Sequence, residues 1–378
     1  MICQENCTGC AACSVVCPKK AITMGINKSG FYSPSINNEK CTGCHLCDRV
    51  CINKNTDMTM DTFSIAQKGV YMAYSMEKNS RSSSGGVAYE IMKTYNELGY
   101  GVCGVVYDNE KKESKNVIVK SFQTDKLQEL RGSKYIQSNS QDAFGHIINE
   151  LDSVIIGTPC QIYGMRKALQ IKNHKSQNLF IDFFCYGVPS YHLWNCYLDY
   201  IEKKYHLNKN SHVIFRTNEL GWKKRQISIG DNYKEEERKD LFYKMFCKEP
   251  MCLNLSCYRC PFKKRTSADI RLGDFWGPKY QNSFEGRSMV CINSPAGEEI
   301  YERINDRIIS NEETEECIKL GQGFDHPKFP NYYYKLLEEL RHNRFLPLIY
   351  KKYSTIILAN KLIKKIRKVF NGKREKTD

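Results

Sequence analysis

The chain has 378 residues, 41% of them hydrophobic, with 19 cysteines and a formal charge of +15, enough apolar material for one large domain with a small one beside it. No window approaches the ~20 uninterrupted apolar residues of a membrane span, and Met1-Ile2-Cys3-Gln4 has neither the basic nor the apolar region of a secretion signal, so a cytoplasmic protein is expected, with its cysteines as cofactor ligands rather than disulfides. The positive charge comes without a helix-turn-helix, zinc-finger or RNA-binding signature, so no nucleic-acid partner is expected.

The first element is a pair of cysteine runs. Cys7, Cys10, Cys13 and Cys17-Pro18, then Cys41, Cys44, Cys47 and Cys51, each have the C-x2-C-x2-C-x3-C spacing of a bacterial-type ferredoxin. Three thiolates on one tight loop grip three irons of a [4Fe-4S] cube, and the fourth cysteine reaches to the other cube. On that logic Cys7, Cys10, Cys13 and Cys51 hold one cluster, and Cys41, Cys44, Cys47 and Cys17 the second. Gly9 and Gly43 stand where the loop bends around the inorganic core. Structural zinc fits closely spaced runs poorly. Ile52 stands where a second proline would be usual, a departure that touches the turn and not the ligand.

A polar linker over residues 53–60 follows. Val70–Tyr74 reads as a strand, and Arg81–Gly86 is a small-residue loop that opens a helix over Val87–Leu98, with Ile91, Tyr95 and Leu98 at helical spacing. Such a loop offers backbone N–H groups to a phosphate, or is a plain cap. Gly99-Tyr100-Gly101-Val102-Cys103-Gly104 matches G-x-G-x-x-G, but a helix precedes it and the strand Val102–Tyr107 follows. That is the reverse of a dinucleotide fingerprint, so a Rossmann site is rejected here. Gly132-Ser133-Lys134-Tyr135 offers a backbone cradle, a cation and a ring, or is a surface turn. Ser153–Gly157 and Leu179–Phe184 are short apolar strands leading to Cys160 and Cys185. They read as neighbours in one sheet, whose carboxyl ends are where open α/β sheets bind ligands. Cys257-Tyr258-Arg259-Cys260-Pro261 is a CxxC that suits a redox dithiol, half a zinc site or half a cluster site. A third cluster needs two further thiolates, and Cys160, Cys185 and Cys252 are the candidates.

Together, Ser82–Gly86, Arg131–Ser138, Gly157–Gly164, Phe184–Ser190, Gly221-Trp222, Ser256–Pro261 and Asp269–Gly277 resemble the beta-subunit family of coenzyme F420 hydrogenases and dehydrogenases and its bacterial relatives. The resemblance runs from the ferredoxin loops to about Pro295. It implies a flavoprotein with FAD and a [4Fe-4S] cluster on the main domain, fed by the ferredoxin module. It places Ser84, Gly85, Gly86, Lys134 and Tyr135 near the flavin, makes Cys257 and Cys260 cluster ligands, and favours Cys160 and Cys185 over Cys252 as their partners. Tyr186 stands where bacterial relatives usually have His, and Asn254-Leu255 where they tend to have Arg-Pro. Cys3, Cys103, Cys196, Cys247, Cys291 and Cys317 fall outside any spacing and read as packing residues.

The expected architecture is α+β. A two-cluster ferredoxin domain (residues 1–60) precedes an α/β domain binding FAD and a cluster (61–345) with a mainly helical C-terminus, then a basic tail (346–378). Residues 351–378 hold ten basic residues against two acidic, while Tyr353, Ile356, Ile357, Leu362, Ile363, Ile366, Val369 and Phe370 recur at helical spacing from Ile349 onward. That predicts a basic amphipathic helix, lying on an anionic membrane surface or docked on the protein's own core. The expected function is an iron–sulfur flavoenzyme that moves electrons between a partner such as ferredoxin, the clusters, FAD and an organic substrate. The alternative is a relay subunit of a larger redox complex, with no substrate of its own.

Overall fold

The computed structural model describes residues 6–54, 62–77, 82–149 and 152–374, with 364–374 described by backbone alone. Cys3, Arg81 and residues 55–60 of the expected linker lie outside the described residues. Each cysteine run closes on a short helix, α1 (Ala12–Val16) and α2 (Leu46–Val50). Between them β1 (Ile22–Ile26) and β2 (Tyr32–Ile36) form an antiparallel hairpin. Apolar Ala12, Val16, Ile22 and Val50 bury their side chains together and against Ala168 of the main domain, so the small domain shares its core with the larger one.

The larger domain is built on a nine-stranded mixed sheet. A two-residue strand, β3 (Phe63–Ser64), precedes β4 (Gly69–Ser75), β5 (Gly101–Asp108), β6 (Glu113–Val119), β7 (Ser138–Asn139), β8 (Ser153–Ile156) and β9 (Asn178–Phe183). A separate three-stranded sheet holds β10 (Val213–Thr217), β11 (Gln226–Ile229) and β12 (Tyr233–Glu236), and β13 (Arg265–Thr266) pairs with β3. With β14 (Ile270–Asp274), β15 (Ser288–Ile292) and β16 (Ile308–Glu313), the main sheet runs β16-β4-β15-β14-β9-β8-β5-β6-β7. Its centre, β14-β9-β8-β5, is parallel and its flanks largely antiparallel. Central strands covered on both faces have to be apolar throughout, and Val154, Ile155, Ile181 and Ile270 are fully buried. Each such side chain contributes roughly 1.5–3 kcal/mol.

The expected strands at 70–74, 102–107, 153–157 and 179–184 are β4, β5, β8 and β9, and β8 and β9 are adjacent and parallel. The helix expected at Val87–Leu98 is α3 (Val87–Glu97). Gly99, at φ 93°, turns the chain from α3 into β5, which is the reversed order that excluded a dinucleotide fingerprint.

The remaining helices pack on the sheets: α4 (Gln141–Ile147), α5 (Pro159–Ile171), α6 (Tyr191–Tyr205), α7 (Leu241–Tyr243), which runs into a π-helical turn (Lys244–Lys248), α8 (Pro295–Arg303), α9 (Glu316–Gly321), α10 (Tyr333–Arg341) and α11 (Leu346–Arg374). An aromatic core around Trp194, Tyr197, Phe215 and Phe242 binds α6, the small sheet and α10 together. The start of the basic tail belongs to it: Leu346, Ile349 and Tyr353 of α11 are buried there, with Ile356 and Ile357 half-buried. Further along, Leu358, Leu362 and Ile363 are exposed. The side chains of Ile366, Val369 and Phe370 lie outside the described residues. Among the described residues no helix is long and apolar enough to cross a membrane.

Candidate functional site

The two cysteine loops repeat one backbone. Gly9 and Gly43 take φ of 71° and 68°. Two positions on, Ala11 and His45 also take left-handed angles, 63° and 59°, as N-caps of α1 and α2. A left-handed alanine is uncommon; here it turns the chain so that the third cysteine enters a helix. The Cys13 thiol is pushed up by burial and by Cys10, Cys7, Cys51 and Cys47 around it. Cys13 therefore has Cys7 and Cys10 of its own run and Cys47 and Cys51 of the other as neighbours. Cys47 has Cys44 beside it, and Cys17, Cys10 and Cys47 border the same small core.

The environments of the loops differ. Gln137 spans the first, with Oε1 accepting from Tyr32 N–H (2.8 Å) and Nε2 donating to Thr8 O (3.0 Å). Ser140 Oγ donates to Cys10 O. A Cβ on Gly164 of α5 would lie 3.0 Å from Cys10 Sγ. In the second loop Cys41 and Cys44 are exposed, and a Cβ on Gly43 would meet nothing within 4 Å.

Where the parallel strands end, a cavity of about 1310 Å³ opens. Asn6, Thr8 and Gly9 form part of its wall, as do Cys160, Cys185, Cys257 and Cys260. These four thiols come from three chain regions: the start of α5, the end of β9, and the segment after α7. Cys160 has Cys185, Cys260 and also Cys10 of the ferredoxin domain as electrostatic neighbours, and Cys257 has Cys185 and Cys260. Burial pushes Cys185 up to about 11, even with Lys263 and Arg271 beside it, and Cys257 to about 12, so these thiols stay protonated until a metal binds; bound iron inverts that preference. Cys252 is elsewhere, fully buried in the aromatic core near Cys196. Among the described residues no three His, Cys, Asp or Glu side chains converge on a single metal-ion point; a cube takes one thiolate per iron and needs ligands around a volume.

Two features hold this thiol set. Cys160 lies in the first turn of α5, where Thr158 Oγ1 is 3.2 Å from its Sγ and Gln161 Oε1 accepts from Thr158 N–H; a helix N-terminus favours a thiolate. Between β9 and β14, Arg271 and Asp182 form a fully buried pair at 2.6 Å. Arg271 Nη1 also donates to Phe262 O, and Lys263 Nζ to Cys185 O. Strand ends and CxxC segment are thus tied together by charge.

The other wall brings Ser82–Ser84 and Gly86 against Arg131–Tyr135. Arg131 Nη2 donates to Ser82 Oγ (2.9 Å) and Ser133 N–H to Ser83 Oγ (3.0 Å), so two motifs about fifty residues apart form one cradle. Gly86 caps α3 at φ 84°. Gly85 is not part of the wall: its N–H donates to Ser288 Oγ, and a Cβ there would come within 2.5 Å of Ala73 O. Lys134 reaches back, donating to the carbonyls of Leu130 and Arg131, and burial pushes it down to about 8. The Tyr135 ring packs on Phe215, Tyr243 and Phe246 and has Arg216 as an electrostatic neighbour.

Sequence reasoning missed Arg216 and Arg225. Arg216 is bound to Asp274 at 2.7 Å and lies over the Trp276 ring, as does Arg225, while Trp276 stacks on Trp222 at 4.7 Å. A charge inside the apolar run Val213-Ile214-Phe215-Arg216 was the available signal. Cys247, expected to be a packing residue, also lines the cavity, from the π-helical turn, a feature frequent at functional sites. Nine Lys and Arg side chains line the cavity against three carboxylates, which suits an anionic ligand.

Residues 6–55 match the family model for 4Fe-4S dicluster domains, and the chain is an iron–sulfur, electron-transfer type of protein. Residues 152–316 match the family model for the C-terminal part of the coenzyme F420 hydrogenase/dehydrogenase beta subunit. The span includes five of the seven motifs; Ser82–Gly86 and Arg131–Ser138 precede it. A chain of the F420-reducing [NiFe] hydrogenase complex from Methanosarcina barkeri is similar at 18% identity and TM-score 0.49, over 76% of this chain and 92% of that one. No curated protein matches the chain.

Proposed function

We propose that the chain is an iron–sulfur flavoprotein oxidoreductase that exchanges electrons between a ferredoxin-type partner and an organic substrate. Cys7, Cys10, Cys13 and Cys51, and Cys41, Cys44, Cys47 and Cys17, hold two [4Fe-4S] clusters; Cys160, Cys185, Cys257 and Cys260 hold a third; FAD occupies the cradle. The observation that carries this reading is that the four inner thiols, the first ferredoxin loop and the cradle of Ser82–Ser84, Gly86 and Arg131–Tyr135 line one cavity. The donor set is all thiol, which suits iron–sulfur ligation. The cradle is small-residue backbone with cations behind it, which suits a diphosphate. FAD, when bound, exchanges one or two electrons and so couples single-electron clusters to hydride chemistry. The chain's residues hold and shield the reactants: Arg131 stays fixed by Ser82, Tyr135 covers one side of the cavity, and the excess of cations draws in an anionic ligand.

Anaerobically purified protein should carry about twelve irons, four per cube, and one FAD. Cys257→Ser should lose about four irons and leave the ferredoxin clusters in place. Tightly bound zinc, or no flavin, would sink the reading.

A second reading, in which the chain only relays electrons within a larger complex, is favoured by the beta-subunit description of the matching family model. Co-purification of a catalytic partner would support it, whereas turnover of a substrate by this chain alone would end it. For the tail, the exposed Leu358, Leu362 and Ile363 among exposed Lys351, Lys352 and Lys361 favour contact with an anionic membrane surface. Full-length protein should float with anionic vesicles and a version ending at Tyr350 should not.

A further inference from the structure

We propose that the second cysteine loop, with the lysines beside it, is the docking face for an acidic one-electron carrier protein. The inference rests on the reading of Cys41, Cys44, Cys47 and Cys17 as cluster ligands, and adds where the partner binds and what charge it carries. The two cluster sites are not equivalent as entrances. The first is covered by Gln137, Ser140 and α5 and has Cys160 as a neighbour, so it faces inward, to the cavity. Residues 37–45 of the second are all exposed, flanked by half-buried Ile36 at the end of β2 and Leu46 at the start of α2. Electron tunnelling weakens steeply with distance, so a carrier has to reach this loop.

The surroundings are basic. Pro18-Lys19-Lys20, directly after Cys17, and Lys40, directly before Cys41, are exposed, and these three lysines make no salt bridge among the described residues. Of the nearby carboxylates, Asp48 is engaged by His45 at 3.0 Å, leaving Glu39 as the exposed one. Rim charges of one sign act mainly on the encounter rate and its dependence on salt. Open loop geometry admits any carrier; unpaired lysines select an acidic one.

The test is stopped-flow reduction of the anaerobic, full-length holoprotein. One donor is a reduced bacterial ferredoxin of net negative charge; the other is reduced methyl viologen, a small cation. The ferredoxin rate should fall about tenfold or more between low and moderate ionic strength. The triple variant Lys19→Glu/Lys20→Glu/Lys40→Glu should lose about as much at low salt and lose the salt dependence, with iron and sulfide unchanged. Its rate with methyl viologen should hold or rise. Lys203→Glu/Lys209→Glu, on an exposed stretch at the end of α6, should behave as wild type. A triple variant with full iron that ferredoxin reduces at the wild-type rate overturns the docking face alone. Wild-type protein without iron in the ferredoxin domain overturns the cluster reading beneath it as well.

Discussion

The two cysteine runs are close to identical in spacing and backbone, yet one is enclosed and the other lies open. Gly9 and Gly43 differ by 3° in φ, but a Cβ on Gly9 would sit 2.1 Å from Gln137 Nε2 and 2.8 Å from Tyr32 O, whereas one on Gly43 would touch nothing. Ligand spacing follows from the inorganic core the loop has to wrap. What makes one loop enclosed and the other open comes from Gln137, Ser140 and Gly164, more than a hundred residues further along the chain.

The sharpest probe of that difference is electron entry. Cys44→Ser lies on the open side, so ferredoxin-driven reduction of the flavin should fall more than about 100-fold, ΔΔG‡ of roughly 3 kcal/mol, while direct chemical reduction survives; equal loss of both would mean that the variant unfolds. Next comes the glycine pair. Gly43→Ala should cost about 1–2 kcal/mol for its left-handed backbone, and Gly9→Ala several kcal/mol more, because buried side chains must also move. Equal shifts in the unfolding midpoint would erase the contrast between the loops. Gln137→Ala should cost about 2 kcal/mol, with two buried bonds lost; solvent exchange at Tyr32 N–H should speed up while exchange around Cys41 does not change.

The smallest effect is a pH slope on the cavity's other wall. Lys134 is depressed to about 8 by burial against about 10.4 in an unfolded chain. Between those values the unfolded chain holds more protons, so this lysine makes stability rise with pH through that window, whereas the buried thiols act in the opposite direction. Lys134→Met should make the wild-type-minus-variant difference in stability smaller at pH 8 than at pH 10. A difference independent of pH would mean that Lys134 is not desolvated.

Much of this was legible in the residues. The cysteine spacings announced the ferredoxin domain, and buried parallel strands could be read at 153–157 and 179–184 because a strand covered on both faces has no polar alternation to hide it. The separation of Cys252 from Cys160 and Cys185 was legible only through family resemblance. Cys252 and Cys257 are close in sequence, and nothing local says that one faces the aromatic core and the other the cavity. Arg216 and Arg225 stayed hidden because their partners, Asp274, Glu237 and Trp276, come from separate segments. Gly85 was grouped with its cradle neighbours, yet its tight place against Ala73 and Ser288 depends on sheet packing.

The buried Asp182–Arg271 pair has a consequence for speed. Breaking such a pair typically costs 3–5 kcal/mol, so the strands that deliver Cys185 and the segment that delivers Cys260 have little freedom to shift. A scaffold that stiff changes shape only slightly when its net charge changes by one. Charge transfer through preorganised surroundings needs little rearrangement, so a cluster held by the inner thiol set, as proposed above, would gain and lose an electron with its walls already in position.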